Sequence, residues 1–464
     1  MIIDLRSGLL SMPSGLGENC LDMALPIGPL MRAMAERWDA AGIDWAVLRN
    51  AEGLPDYTRY DLDVLVAPEA LSDCLATLDA VVDETGWRII GRIEKRYYTC
   101  LMLMLEGATP FFLPIDLFTA LEYRGSHYAN VQDVLQQRIK TDNGIWTIPS
   151  AVDAAITLLK ELYPHKKLKA NSRALVQAQT SNDPDGVRSV LQHAAGEVGA
   201  NLLTQAVLAG AWDDLPVLSR HLRREPWWTF SRWPSVWANL RHLFRPSLGC
   251  VVALAGADGS GKSTLACGLA EGLYKQPFKG IYYVHGNIGV LPRFRDMRAW
   301  LVRKIMRKEP VVASGPEHLK GMMDPIPAWK SMILATYYAL DLCLGKILLR
   351  RLRGQWMLVI MDRSFFDYYY QLGHRNCPRW YLDFLLWLIP KPDFLFCLTD
   401  DPGAIHQRKP ELTVVEIGRE QEIVARVLTR YAYACELDGR QGADRVIVQA
   451  AARVLDAVTQ RGGA

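Results

Sequence analysis

The segment that most restricts the fold of this chain is Gly256-Ala257-Asp258-Gly259-Ser260-Gly261-Lys262-Ser263-Thr264. It is entered directly from the apolar run Cys250–Ala255 and left into the helical pattern Leu265–Tyr274. A continuous short apolar run suits a central strand of a parallel sheet, buried on both faces. Glycines let the following loop wrap closely around an anion with its N–H groups turned inward. The start of the next helix adds a field that favours negative charge. The segment therefore reads as a cradle for nucleotide phosphates. Gly256, Gly259, Ser260 and Gly261 shape it, Lys262 reaches the β- and γ-phosphates, Ser263 ligates Mg²⁺, and Thr264 completes the turn into the helix.

Strand-like and helical runs alternate after the loop, as in a parallel α/β sheet. Leu358–Met361 runs into Asp362-Arg363-Ser364, and the run Asp393–Leu398 precedes Asp400-Asp401-Pro402. Over about Gly249 to Val448 this wording resembles thymidylate kinase and its relatives. The resemblance implies an ATP- and Mg²⁺-dependent phosphotransferase acting on a small-molecule phosphoryl acceptor. It implies that Asp362 orients Mg²⁺ or its water and that Arg363 holds the acceptor's phosphate. Asp258 stands where relatives place a carboxylate near the acceptor's sugar hydroxyl, with stabilisation of the loop as its other role. Ala404–Leu412 resembles the lid. Since the glycine loop carries no arginine, Arg408 and Lys409 are expected to supply catalytic charge, Arg408 preferred for its planar fork. Val446-Ile447-Val448 is expected as the last strand, near the adenine. The chain departs from the pattern at His285-Gly286-Asn287-Ile288-Gly289, where no substrate-gripping arginine stands, and in a basic insert with Arg293, Arg295, Arg298, Arg303, Lys304, Arg307 and Lys308. The acceptor pocket is accordingly rebuilt, and dTMP is not implied.

Upstream, Ala46–Leu48, Leu62–Val66, Trp87–Ile93, Tyr97–Leu105 and Phe111–Phe118 have strand character. Asp61 and Asp63 are two apart and share a strand face, and Asp116 lies in another strand-like run, so the three could form an oxygen site for Mg²⁺. The stretch Ile43–Phe118 resembles the polymerase-β-like nucleotidyltransferases, and the helical stretch after Pro149-Ser150, with Val152, Ile156, Leu159 and Leu162 at helical spacing, is similar to their second domain. Arg49-Asn50 replaces the Gly-Ser those proteins carry ahead of Asp-x-Asp. Nucleotidyl transfer to a small molecule or RNA, and a degenerate domain that binds a ligand or partner, both stay open. So does an ATP-binding regulatory module with little turnover.

The fold class expected is α/β: a C-terminal P-loop kinase domain with a parallel sheet (249–464), preceded by an α+β nucleotidyltransferase-like domain (1–148), a helical extension (149–222) and a linker (223–248). Half apolar and 22% charged, the chain has the make-up of a folded protein. A net charge of +3 is too small to argue for nucleic acid as a partner. The nine cysteines lack a C-x-x-C pair and read as reduced. Met1–Leu10 lacks a long apolar core, and no unbroken apolar run reaches the roughly 18 residues of a spanning helix; Ser331–Leu349 is interrupted by Asp341 and Lys346. A cytoplasmic location and self-association are expected. Between Arg220 and Arg245, arginines interleave with Trp227, Trp228, Trp233, Trp237 and Phe244. That stretch reads as a connector packing on its neighbours, with membrane contact or stacked nucleic acid as alternatives. His285, His374 and His406 show no metal-ligand spacing and are expected to be incidental.

Overall fold

The computed structural model describes residues 25–49, 51–58, 61–107, 110–123, 125–224, 247–273, 277–286, 288–292, 325–428 and 430–462. These fall into two compact units, 25–224 and 247–462. Most of the tryptophan–arginine stretch and the whole basic insert from Arg293 to Lys308 lie outside the described residues.

In the first unit β1 (Trp45–Val47), β2 (Leu62–Val66), β3 (Trp87–Glu94), β4 (Tyr98–Leu105), β5 (Phe111–Phe118), β6 (Ile139–Lys140) and β7 (Trp146–Thr147) form one mixed sheet, in the order β6-β7-β1-β2-β5-β4-β3. Successive residues of a strand face opposite sides, and here both sides are apolar. Val64 and Val66 pack with Met31, Met34 and Trp38 of helix α1 (Gly28–Ala40). Leu65 packs with Val152, Ile156, Leu159 and Leu162 of helix α2 (Ser150–His165). Burial on both faces explains why all five residues of β2 are buried, including Asp63. Strands β2 and β5 run parallel with Asp63 level with Asp116.

The second unit holds a five-stranded sheet of β8 (Cys250–Ala255), β9 (Gly280–His285), β10 (Met357–Arg363), β11 (Phe394–Thr399) and β12 (Ala434–Asp438), ordered β9-β10-β8-β11-β12. Every neighbouring pair is parallel. The first strand of the sheet thus lies in its middle, with later strands added on both sides, and such a reversal opens a crevice at the carboxyl ends of the strands. The glycine loop leaves β8 at that end and leads into helix α3 (Lys262–Leu273).

One expectation is corrected here. Val446–Val448 belongs to the helix Ala443–Gly462, and the last strand is β12. The four-residue spacing of the buried Val446, Ala450, Val454 and Val458 sets the helix and outweighs the β-branched run. Helix α4 (Ala328–Gly354) is long and apolar enough by length and composition to cross a membrane. Asp341 and Lys346 break the run of apolar letters without breaking the helix. One side of α4 is core, burying Ala335, Tyr338, Leu342, Leu349 and Leu352 with residues of β8 and β10.

Candidate functional site

The loop after β8 has a backbone that side chains would obstruct. Gly256 has φ +152°, and a Cβ there would stand 2.7 Å from the Leu398 carbonyl oxygen; Gly259 has φ +89°. Lys262 opens α3 yet is 8% exposed. Its Nζ turns back into the loop and donates to the carbonyls of Gly256 at 2.6 Å and Ala257 at 3.0 Å. The first amides of α3 have no intrahelical acceptor by construction, so they add donors beside this ammonium.

Asp258 is the centre of a cation cluster. Lys262 lies 3.3 Å from its Oδ1, while Arg363 at 3.2 Å and Lys409 at 3.4 Å meet its Oδ2. Burial acts to raise the Asp258 pKa, but Lys262, Arg363 and Lys409 outweigh it and hold it at about 2. Four residues expected at the site, from three separate stretches of sequence, thus meet at one carboxylate. Arg408 does not join them. It ends the short helix Pro402–Arg408, where its Nε donates to the Ala404 carbonyl and its guanidinium pairs with Asp400. Lys409, the next residue, leaves the helix in an extended conformation and is the one of the two that reaches Asp258.

Asp362 is the last residue but one of β10, beside the start of α3. Its Oδ2 accepts from Ser263 at 3.1 Å and from the Tyr283 hydroxyl, and the His285 Nδ1 lies 3.4 Å away. Its Oδ1 is buried without a hydrogen-bond partner among the described residues. Burial would raise this carboxyl's pKa, yet the bonds from His285, Tyr283 and Ser263 keep it below the ordinary range. A hydroxyl, a charged carboxylate and a buried unpaired oxygen fit Mg²⁺, which takes one or two protein oxygens and completes its shell with water and phosphate. Among the described residues no group of three or more His, Cys, Asp and Glu is arranged to hold a metal unaided. Gly261 and the exposed Ser263 and Thr264 close the turn, and the Ser260 hydroxyl is buried and unpaired among the described residues.

Sequence reasoning missed several neighbours. His285, expected to be incidental, is at the site. Tyr283 and His285 stand two apart on β9 and so share the face turned to Asp362, a spacing visible in the sequence. Two further carboxylates are buried nearby: burial pushes Asp367 up to about 6 and Glu420 to about 7. Asp367 accepts from the Tyr370 hydroxyl at 2.6 Å, and that hydroxyl in turn accepts from the Gly256 amide at 3.2 Å. An acid inside the aromatic run Phe365–Tyr370 was the available signal for Asp367. Glu420 accepts from the Leu372 amide at 3.3 Å, and nothing in the sequence marked it.

In the first unit the expected three-carboxylate metal site is corrected. Asp63 is 2% exposed, its Oδ2 is paired with the Arg49 guanidinium, and Lys160 lies 3.9 Å away. Asp116 is level with Asp63 on the adjacent strand and Asp61 immediately precedes β2. Asp63, Asp116 and Asp61 all act to raise the Lys160 pKa, though burial dominates and lowers it. The carboxylates are gathered as expected, but around two cations of the chain itself. Arg49 stands where the resemblance called for a small residue.

No protein-family model and no curated protein matches this chain. A solved structure, that of thymidylate kinase from Ehrlichia chaffeensis, is similar over 44% of this chain and 98% of its own length, at 15% identity and a TM-score of 0.29. Likeness at that score assigns no activity.

Proposed function

We propose that residues 247–462 bind ATP with Mg²⁺ and transfer its γ-phosphoryl group to a small acceptor. The observation that carries this reading is the meeting of Lys262, Arg363 and Lys409 on Asp258, at the mouth of a glycine loop whose helix amides point the same way. Phosphoryl transfer asks little covalent chemistry of a protein and a great deal of placed positive charge. An oxygen of the acceptor attacks the γ-phosphorus, the bond to the β,γ-bridging oxygen breaks, and ADP leaves. Lys262 leaves its loop carbonyls for the β- and γ-phosphates. Lys409 stabilises the charge spread over the transferring group, and Arg363 orients the acceptor. Ser263 and Asp362 would hold the metal, which when bound neutralises phosphate charge. Asp258 keeps the three cations together until phosphate competes for them.

The acceptor class is a nucleoside monophosphate or a sugar or metabolite phosphate, accepting through phosphate or hydroxyl. The test is ADP release from ATP and Mg²⁺ across a panel of such acceptors. At least one acceptor is expected to stimulate release, and Lys262→Ala is expected to abolish the stimulation. Undiminished stimulation in a folded Lys262→Ala protein would overturn the proposal.

A further inference from the structure

Helix α4 has a second side that the core does not use. Trp329, Ile333, Leu340, Leu344 and Ile347 are 59, 50, 52, 54 and 68% exposed. At about 100° per residue these five positions fall within one narrow stripe along the helix. Helix α5 (Arg379–Leu388) runs beside α4, with the Thr336 and Tyr381 hydroxyls 2.5 Å apart and the Cys343 thiol 3.6 Å from the Leu388 carbonyl. The second contact lies seven residues beyond the first on each helix, so the two helices run in the same direction. Helix α5 adds Trp380, Phe384, Trp387 and Leu388, at 69, 52, 74 and 44% exposed. Nine large apolar side chains on two adjacent helices far exceed the scattered exposure of an ordinary surface.

The rim of this face is basic. Lys330, Arg350, Arg351, Arg379, Lys391 and Arg430 are exposed, and the last five have no carboxylate partner among the described residues. The acids of residues 325–392 are Asp341, Asp362, Asp367 and Asp383. The first three are buried, and Asp383 accepts from the Tyr369 hydroxyl at 2.8 Å. At the edge of the face a cleft of about 360 Å³ is lined by Arg379, Lys391 and Arg430 against the single carboxylate Asp383, with Trp387 and Tyr433 beside them. Tyrosines 431 and 433 stack at 5.4 Å, and the Tyr433 hydroxyl is buried and unpaired among the described residues.

We infer that the α4–α5 face docks on an anionic membrane surface. The apolar stripe enters the headgroup–acyl boundary, and the cleft receives a lipid phosphate. Tryptophan beside lysine and arginine is the side-chain set that settles at that depth. The charge pattern selects this occupant over a second copy of the chain. A two-fold contact sets the same patch against itself and would bring a predominantly basic rim onto a basic rim. Helix α4 lies on the membrane and does not cross it, because its opposite side carries Asp341, fully buried and accepting from the amides of Gly289 and Leu291.

The experiment is flotation of the full chain with vesicles of phosphatidylcholine containing phosphatidylglycerol, against vesicles of phosphatidylcholine alone. Binding to the anionic vesicles is expected. Trp380→Ser with Trp387→Ser, and separately Lys391→Glu with Arg430→Glu, should each lower it about tenfold or more. The second pair leaves the apolar helix faces intact, so it answers the question even if the first fails to fold. Absence of vesicle binding overturns the inference. So does binding unchanged in the Lys391→Glu, Arg430→Glu protein, which would move the contact elsewhere in the chain. A dimer that the tryptophan pair dissociates without changing vesicle binding overturns it in favour of a second copy.

Discussion

The two units each gather acids and bases at the end of a sheet, and the two clusters end differently. Around Asp63 the chain completes its own circuit: Arg49 pairs with the buried carboxylate and Lys160 stands behind it. Around Asp258 and Asp362 the circuit stays open. Three cations share one carboxylate, and a neighbouring buried carboxylate keeps one oxygen without a partner among the described residues. A buried polar atom left unpaired is costly, on the order of 1–3 kcal/mol, so a cation bound at the free Asp362 oxygen would recover part of that cost. Clustering of charge alone does not distinguish a site from a structural ion pair. The state of the remaining lone pairs does.

The comparison breaks most directly with one substitution in each cluster. Lys262→Ala should lower acceptor-stimulated ADP release by about 10³-fold, since it removes the cation held inside the phosphate loop. Asp63→Ala should leave that activity within about twofold, as expected for a change outside the reacting groups. Measuring both variants in the same assay decides the matter. Equal loss from both would mean that the two clusters serve one reaction.

A smaller effect sharpens the open cluster. Lys409→Ala should lower kcat by about 100-fold with little change in the ATP dissociation constant, because its charge acts mainly on the transferring group. Arg408→Ala, one residue away, should change kcat by less than about threefold, since its guanidinium belongs to Asp400. Reversed effects would mean that the segment rearranges when nucleotide binds.

The self-paired cluster makes its own prediction, on stability. Arg49→Ala leaves Asp63 buried with Lys160 as its remaining near cation. Breaking a fully buried pair costs about 3–5 kcal/mol. Here Arg49 is 37% exposed and Lys160 remains, so about 2 kcal/mol is expected. In denaturant, the loss should appear in the unfolding transition that ATP does not protect.

What the sequence disclosed follows from how local each determinant is. The strands could be read because apolar runs with turn residues between them are local facts, and so could the glycine loop, whose conformation three glycines allow. Asp362 and Arg363 could be placed by resemblance because they directly continue the apolar run Leu358–Met361. The choice between Arg408 and Lys409 was not local. It depends on the helix Pro402–Arg408 ending between them, which turns one side chain to Asp400 and the other to Asp258. Val446–Val448 misled because three β-branched residues say strand, while the helix is set by burial every fourth residue. Arg49 was noted as a departure, but its pairing with Asp63, fourteen residues on, needs the β1–β2 register to appear.

The smallest effect concerns Glu420, a carboxylate near the open cluster with no ion-pair partner among the described residues, though Lys262 acts weakly to keep it charged. Burial raises its pKa to about 7, and the Leu372 amide at 3.3 Å only partly opposes the shift. A raised carboxyl pKa means that the folded chain keeps a proton which the unfolded chain has released. Stability is therefore full below the unfolded value, near pH 4.5, and declines as pH rises towards 7. The slope from one such group is at most about 1.4 kcal/mol per pH unit. Asp258 has the opposite sign: held at about 2, it contributes stability above the ordinary carboxyl range and loses it only in strong acid. The two windows do not overlap, so between pH 5 and 7 the trend comes from Glu420 together with Asp367, whose share ends earlier, near pH 6. Glu420→Gln keeps an acceptor for the Leu372 amide and removes the titration. The midpoint of the ATP-protected unfolding transition should fall between pH 5 and 7 in the native protein and fall less in the variant. Parallel curves would mean that Glu420 meets a cation in solution, and that the second cluster is as fully paired as the first.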